Sequence, residues 1–383
     1  MEPLPVEDLK ALDAFMAAEV EHNCRPCCSS RTRHGMVTCV RFLVHTFIWV
    51  ADNLMYMLGW VFVPLAWVLI GSIVIAWYKV LAPYIQQETS SLGFAAHVVF
   101  THWLLINIIF NYLMVTITSP GYPPKMRLND IMLQPGESFC KKCDSVKPVR
   151  THHCSVCKRC VLKMDHHCPW VHNCIGFRNH RYFFLFMAYL WVGCVYVGAV
   201  CAPLFLLRYR WRFHYDTLTN ADKIEIRRLL LAGYLGPVVT FAFVLTVAVG
   251  IALGLLLFWH VYLVSRGETT IEYYATFKPD QAKKDRPVYS APQQRHTIGQ
   301  RWRLFLGIDG GRSIWGVLLP STFRPSGDGM TWTVASSDGG TGTLASSSSS
   351  SSSSSGGGAP TGDRSSTSSS LSAPPLARSH QWV

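Results

Sequence analysis

The chain has 383 residues, of which 49% are apolar and 15% charged, with a formal net charge of +12. Such a composition excludes an ordinary soluble protein with a charged surface. The basic residues flank long apolar runs, which assigns them to membrane orientation and leaves no nucleic acid among the expected partners.

The first 20 residues carry Glu2, Glu7, Asp8, Asp13 and Glu19 and no basic start, so no cleavable signal peptide is expected. Glu7–Glu21 suits a short amphipathic surface helix, with Leu9, Leu12, Phe15 and Met16 on one side. Cys24, Cys27 and Cys28 follow next to Arg25, Arg31 and Arg33, where lipidation competes with a plain surface role.

Four apolar runs then approach or exceed the roughly 20 residues that a helix needs to cross a bilayer. They are Leu54–Tyr78, Phe94–Ile117, Tyr182–Leu207 and Pro237–Val264. Lys and Arg concentrate before the first run, between the second and third, and after the fourth, whereas Lys79–Gly93 holds a single basic residue. Both termini are therefore expected in the cytosol. Arg208–Tyr234, with six basic residues, runs against this rule. His97, His102, Asn107 and Asn111 inside the second run read as helix-packing groups. Ser119-Pro120-Gly121 stops that helix, and Met126–Gly136 is a linker.

Cys140–Gly176 holds seven of the 13 cysteines and five histidines. Cytosolic thiols stay reduced, so the cluster reads as a metal site rather than a disulfide framework. Cys140/Cys143 and Cys154/Cys157 have the spacing of zinc half-sites. Two Cys3His sites consume six cysteines and leave one over. Spacing does not say which one. Chemistry favours Cys168, because Asp165-His166 lies just before it: an imidazole can take the proton of a thiol, and a carboxylate can orient the imidazole. The competing role for Cys168 is a ligand or spare, with Asp165 capping a turn.

After the fourth run, Thr269, Thr270 and Glu272 can cap backbone or bond a neighbouring loop. Pro279–Gln300 reads as irregular. Trp302–Asp309 and Ile314–Leu319 are short apolar pieces able to dock on the module or the membrane. From Ser336 the chain is rich in Ser and Gly and is expected to be disordered, and no internal repeat is evident. The expected fold is all-α and integral to the membrane, with four transmembrane helices and a small two-zinc domain between helices 2 and 3. The expected divisions are 1–53, 54–117 (helices 1 and 2), 118–181 (zinc domain), 182–264 (helices 3 and 4), 265–335 and a tail at 336–383.

The Cys/His stretch resembles the cysteine-rich domain of the DHHC-type protein S-palmitoyltransferases. Asp165-His166-His167-Cys168 is the motif that names the family, and the flanking CxxC, HHCSxCxxC and PWxxNCxG elements are present. Thr269-Thr270-Ile271-Glu272 matches the family's TTxE element, while Ser119 stands where the family has Asp and Arg301 where it tends to have Asn. SRGETTIE, FLGIDGGR and LLPSTFRPSGDGMTW resemble the Abl-philin branch.

The resemblance implies one zinc set of Cys140, Cys143, His153 and Cys160, and a second of Cys154, Cys157, His167 and Cys174. It implies Cys168 as nucleophile, His166 as base and Asp165 as its orienting partner. The acyl group would pass from palmitoyl-CoA or another long-chain acyl-CoA to Cys168, and then to cysteines of substrate proteins near the membrane. Trp170, Phe183 and Phe186 are placed to line an acyl cavity, and Lys147 and Arg150 to meet the CoA phosphates. The expected partners are membrane lipid, acyl-CoA and protein substrates. The branch suggests the endoplasmic reticulum membrane, with the Golgi as second candidate. The rival reading is a membrane-tethered zinc adaptor without catalysis.

Overall fold

The computed structural model describes residues 30–127, 133, 136–234, 236–275, 296–308, 313–335 and 341–344. The Glu7–Glu21 helix, the Cys24 to Cys28 group and the serine run lie outside these residues. Among the described residues, four helices are long and apolar enough to cross a membrane: Phe42–Glu88, Ser91–Ile117, His180–Phe213 and Pro237–Arg266. Each contains one of the expected runs.

Helix α1 (Ser30–Ala76) begins well before Leu54, because nothing in that stretch breaks a helix. It runs through a π turn at Trp77–Leu81 into α2 (Ala82–Glu88). Ser90 caps α3 (Ser91–Ile117) by accepting from the Gly93 amide at 3.2 Å. Helix α3 stops where Pro120 cannot donate and Gly121 turns at φ +99°. Ser119 keeps that turn, its hydroxyl accepting from the Gly121 amide at 3.3 Å. Helix α4 (His180–Phe213) packs along α3 on one side and α6 (Pro237–Arg266) on the other. Outward residues such as Met57, Val68, Val99, Ile251 and Leu255 are exposed, as lipid-facing side chains are.

The basic Arg208–Tyr234 segment is explained by α5 (Asn220–Leu231), which Thr219 and Asp222 start with a capping box. Arg228 pairs with Glu225 at 2.7 Å and Glu88 at 2.5 Å, and Arg210 pairs with Asp222 at 3.1 Å. The rule counts Lys and Arg whatever their partners, so the segment still runs against it.

Between α3 and α4 lie three antiparallel hairpins: β1–β2 (Ser138–Cys140, Ser145–Lys147), β3–β4 (His152–Cys154, Arg159–Val161) and β5–β6 (His166–Cys168, Asn173–Ile175). They recur every 14 residues, which corrects the expectation of no repeat. The repeat hides in sequence because the first hairpin has Ser138-Phe139 where the others have His-His, and the third has Val171 where the others have Cys. Asp144, Lys158 and His172 occupy the same turn position, each with positive φ.

After α6 come α7 (Thr270–Ala275), α8 (Ile298–Leu306) and α9 (Trp315–Leu318). Helix α8 replaces the irregular end expected for Pro279–Gln300, because Thr297 and Gln300 form a capping box. Helix α9 docks on the membrane helices: Trp103 Nε1, Tyr189 Oη and Arg181 donate to the carbonyls of Leu318, Val317 and Gly316 at 2.8, 2.6 and 2.6 Å. Strand β7 (Trp332–Ala335) pairs with β8 (Thr341–Leu344), so order reaches past Ser336.

Candidate active site and metal centres

The 14-residue repeat explains the ligand pattern. Each zinc set joins the turn cysteines of one hairpin to a cross-strand pair of the next. Cys140 and Cys143 from the first hairpin meet His153 and Cys160, which face each other across the second. Cys154 and Cys157 from the second meet His167 and Cys174, which face each other across the third.

A tetrahedral zinc with Zn–S of about 2.3 Å needs ligand atoms about 3.8 Å apart along each edge. In the first set, His153 Nδ1 lies 3.6, 3.2 and 3.9 Å from the sulfurs of Cys140, Cys143 and Cys160. In the second, His167 Nδ1 lies 3.8, 3.3 and 3.6 Å from those of Cys154, Cys157 and Cys174. Both sets fit a zinc ion, with Nδ1 as the histidine donor. Zinc bound here would supply most of the folding free energy of these short hairpins.

The third hairpin begins the same way with Cys168, but Val171 stands where Cys143 and Cys157 stand in the others. The chain passes from this hairpin into α4, and among the described residues no further His/Cys pair follows to complete a site. Cys168 is thus a turn thiol outside both zinc sets, and it is 6% exposed.

Asp165, His166 and Cys168 come together. Asp165 is fully buried, and its Oδ2 accepts from His166 Nδ1 at 2.7 Å. That bond occupies Nδ1 and leaves Nε2 as the ring nitrogen available to the Cys168 thiol, and both side chains line the same cavity. Burial opposes ionisation of Asp165, but the His166 hydrogen bond and neighbouring imidazoles hold it well below the usual carboxylate range. Burial also opposes charge on His166; its bond to Asp165 and the closeness of Cys168 outweigh this and lift it to about 10.

The third hairpin is fastened to the bilayer helices. Asn173 Nδ2 donates to the Thr118 carbonyl at 2.9 Å and the Val115 carbonyl at 3.1 Å, satisfying the end of α3. Asn179 accepts from the Gly176 amide at 2.9 Å and donates to the Cys174 carbonyl at 2.8 Å. Tyr112 donates to the Trp170 carbonyl at 2.9 Å.

Cys168 and His166 open onto a mostly apolar cavity of about 440 Å³ between the four long helices. Along α3 it extends from Tyr112 to Thr101, roughly 16 Å at 1.5 Å per residue. Phe183, Phe186 and Trp170 line it. Phe183 and Phe186 are buried, while Trp170 is 45% exposed and stacks on Phe62 with centroids 4.5 Å apart.

The two cations expected at CoA phosphates differ in placement. Lys147 is half-buried at the end of β2. Arg150 is 3% exposed and bonds both oxygens of Glu272 at 2.6 Å, so it stands in the interior rather than at a phosphate-facing surface. The sequence offered no sign of that pairing, since the two residues come close only through the packing of α7 on the zinc domain. Sequence reasoning also missed His260, on α6, which meets Phe183 edge to face and lies with Asp165 and His166 in one cluster of polar atoms.

A family model described as DHHC palmitoyltransferase matches residues 133–276. Palmitoyltransferase ZDHHC16A of Danio rerio is 37% identical over 326 residues, covering 75% of this chain and 81% of that protein. Palmitoyltransferase ZDHHC16 of Homo sapiens is 39% identical over 313 residues, covering 78% and 81%. Probable protein S-acyltransferase 16 of Arabidopsis thaliana is 34% identical over 259 residues, covering 64% and 83%.

Proposed function

We propose, for a chain that belongs to the DHHC palmitoyltransferase family and its ZDHHC16-like Abl-philin branch, that it is a protein-cysteine S-palmitoyltransferase acting through Cys168. One observation carries the residue assignment. A thiol outside both zinc sets, a His166 held by the buried Asp165 and a long apolar cavity meet at one point.

The reaction has two steps. His166 Nε2 takes the Cys168 proton, and the thiolate attacks the thioester carbonyl of palmitoyl-CoA. The carbon–sulfur bond to CoA breaks, and His166 returns the proton to the CoA sulfur. In the second step His166 deprotonates a cysteine of the protein substrate. That thiolate attacks the acyl-Cys168 thioester, and Cys168 leaves with the proton. Asp165 holds the imidazole with Nδ1–H toward itself and stabilises the imidazolium.

The acyl tail lies in the cavity past Phe183 and Phe186, where each buried methylene contributes about 0.8 kcal/mol. Lys147 is the cation for the CoA phosphates. Arg150, committed to Glu272, is left out of that contact. Zinc held by the two Cys3His sets would fasten the hairpins that carry Asp165, His166 and Cys168.

The chain is a multi-pass membrane protein with four spans. We place it in the endoplasmic reticulum membrane, with residues 1–53, 118–181 and 265–383 on the cytosolic side, on the strength of its basic segments and its branch. Substrates are proteins whose cysteines lie close to the bilayer.

The test is incubation of detergent-purified protein with a labelled palmitoyl-CoA analogue. Hydroxylamine-sensitive label on Cys168 is expected. An unlabelled wild type with zinc intact would favour the adaptor reading, and equal labelling of Cys168→Ser would remove the residue assignment.

A further inference from the structure

A second cavity, about 150 Å³, lies where the zinc-domain ends of α4 and α6 meet α8, and it shares no lining residue with the acyl cavity. It is smaller than the roughly 300–1,000 Å³ that a drug-sized ligand fills, and suits a single compact group. Its walls carry Lys163, Arg178, Arg181, Arg301 and Arg324 against one carboxylate, Glu268. That carboxylate is already bonded to Arg266 at 2.9 and 3.1 Å.

Two side chains in the wall, the buried His180 and the half-buried Lys163, indicate a missing anion. His180 is 4% exposed, lines the cavity, and finds no hydrogen-bond partner for either ring nitrogen among the described residues. Burying a donor without an acceptor costs about 1–3 kcal/mol, so a native histidine in this state is expected to meet a ligand or ion. Lys163 lies with its amine 5.8 Å from the Trp332 ring. Burial, and then the nearby Arg150 charge, push that amine down to about 8. An anion in the cavity would relieve both strains.

We propose that this pocket binds the phosphate of an anionic membrane lipid. Phosphate offers several acceptor oxygens to converging guanidinium, ammonium and imidazole donors. The pocket sits between helix ends at the membrane boundary, where basic pockets take phosphorylated lipid headgroups. The phosphates of an acyl-CoA seated at Cys168 are the less suitable source. His260, edge to face with Phe183 at 5.4 Å and with His180 at 5.7 Å, stands between the two cavities. The proposal depends on the chain spanning a membrane and is independent of the role of Cys168.

The experiment uses the full-length protein in neutral detergent, with zinc content measured for every sample. Dioctanoyl phosphatidic acid, dioctanoyl phosphatidylcholine and adenosine 3′,5′-bisphosphate are titrated separately and in competition. Binding is read by native mass spectrometry and by the shift in Tm. Phosphatidic acid is expected to bind and raise Tm, with phosphatidylcholine binding at least tenfold more weakly. The double variant Arg178→Glu/Arg324→Glu should lose at least tenfold in phosphatidic acid affinity while keeping its zinc, and Lys147→Ala should lose nothing. If the double variant loses zinc, Lys163→Gln alone is read in the same way. Equal binding of the two lipids, or undiminished affinity in the pocket variant that retains zinc, overturns the pocket. Displacement of phosphatidic acid by the nucleotide overturns the lipid assignment.

Discussion

Thr270 holds both oxygens of Asp165: its amide donates to Oδ1 and its hydroxyl to Oδ2, each at 2.9 Å, across 105 residues of sequence. The carboxylate that orients His166 is therefore positioned by the segment after the fourth span. Thr270→Val keeps the shape and the amide bond but removes the hydroxyl bond. A hydrogen bond to a charged group contributes about 1.5–3 kcal/mol, so the first-step acylation rate should fall by roughly tenfold or more. Thr270→Ser should restore most of it. Rapid-quench labelling with the acyl-CoA analogue measures the rate. An unchanged rate in Thr270→Val would mean that the amide alone suffices.

Glu272 and Arg150 give a pH-dependent expectation. Glu272 is 10% exposed and Arg150 is 3% exposed. Burial would raise the Glu272 pKa, but the Arg150 charge and hydrogen bonds hold it below its ordinary value. A depressed carboxyl contributes stability that is present above its unfolded value of about 4.3 and is lost as pH falls through the folded one. Glu272→Gln leaves a buried guanidinium without its carboxylate, which costs about 3–5 kcal/mol near neutral pH. The gap in Tm between wild type and variant should be widest at neutral pH and narrow in acid. Zinc release in acid affects both proteins and cancels in the comparison. A gap that stays constant into acid would rule out the ion pair as its source.

Much of this architecture is legible in the sequence, for identifiable reasons. The spans show because lipid demands long apolar helices, and the zinc ligands show because thiolate spacing is rigid. The placement of Arg150 was not legible. Its pairing needs α7 to pack on the zinc domain, and an Arg beside zinc ligands looks the same whether it faces Glu272 or a phosphate. The 14-residue repeat escaped because Val171 breaks the cysteine pattern at the very hairpin that carries Cys168. His180 and His260 lie within apolar helices, and only the fold reveals that His260 joins Asp165 and His166 while His180 packs against it.

Gly59 controls how α1 meets the third hairpin. A Cβ added there would lie 1.8 Å from His172 Nδ1 and 2.6 Å from its Cγ. His172 is held between the rings of Tyr56 and Trp60, with centroids 5.0 Å away in each case. Gly59→Ala must therefore push α1 away from the hairpin beside Trp170. Acylation of Cys168 should fall while zinc content is unchanged. His172→Ala in the Gly59→Ala background removes the obstacle, so the double variant should be more active than Gly59→Ala alone. Such non-additivity is expected of residues in direct contact. Additive losses would place the effect elsewhere on α1.

The repeat also fixes what metal analysis should find. Each zinc set takes two turn cysteines from one hairpin and a His/Cys pair from the next, so three hairpins make two complete sites. Cys168 is the turn cysteine of the last hairpin and has no following pair. Cys168→Ser should therefore keep two zinc ions per chain and lose all hydroxylamine-sensitive label. Cys157→Ser occupies the equivalent hairpin one repeat earlier, inside a four-ligand set. It should lose at least one ion, and with it the folding free energy of a structural zinc, about 10–16 kcal/mol in small zinc peptides. Its label should vanish as well, but because the site is no longer assembled. Elemental analysis and labelling of the same samples separate the two causes. Loss of one ion in Cys168→Ser would mean that Cys168 is a ligand and that another cysteine carries the acyl group.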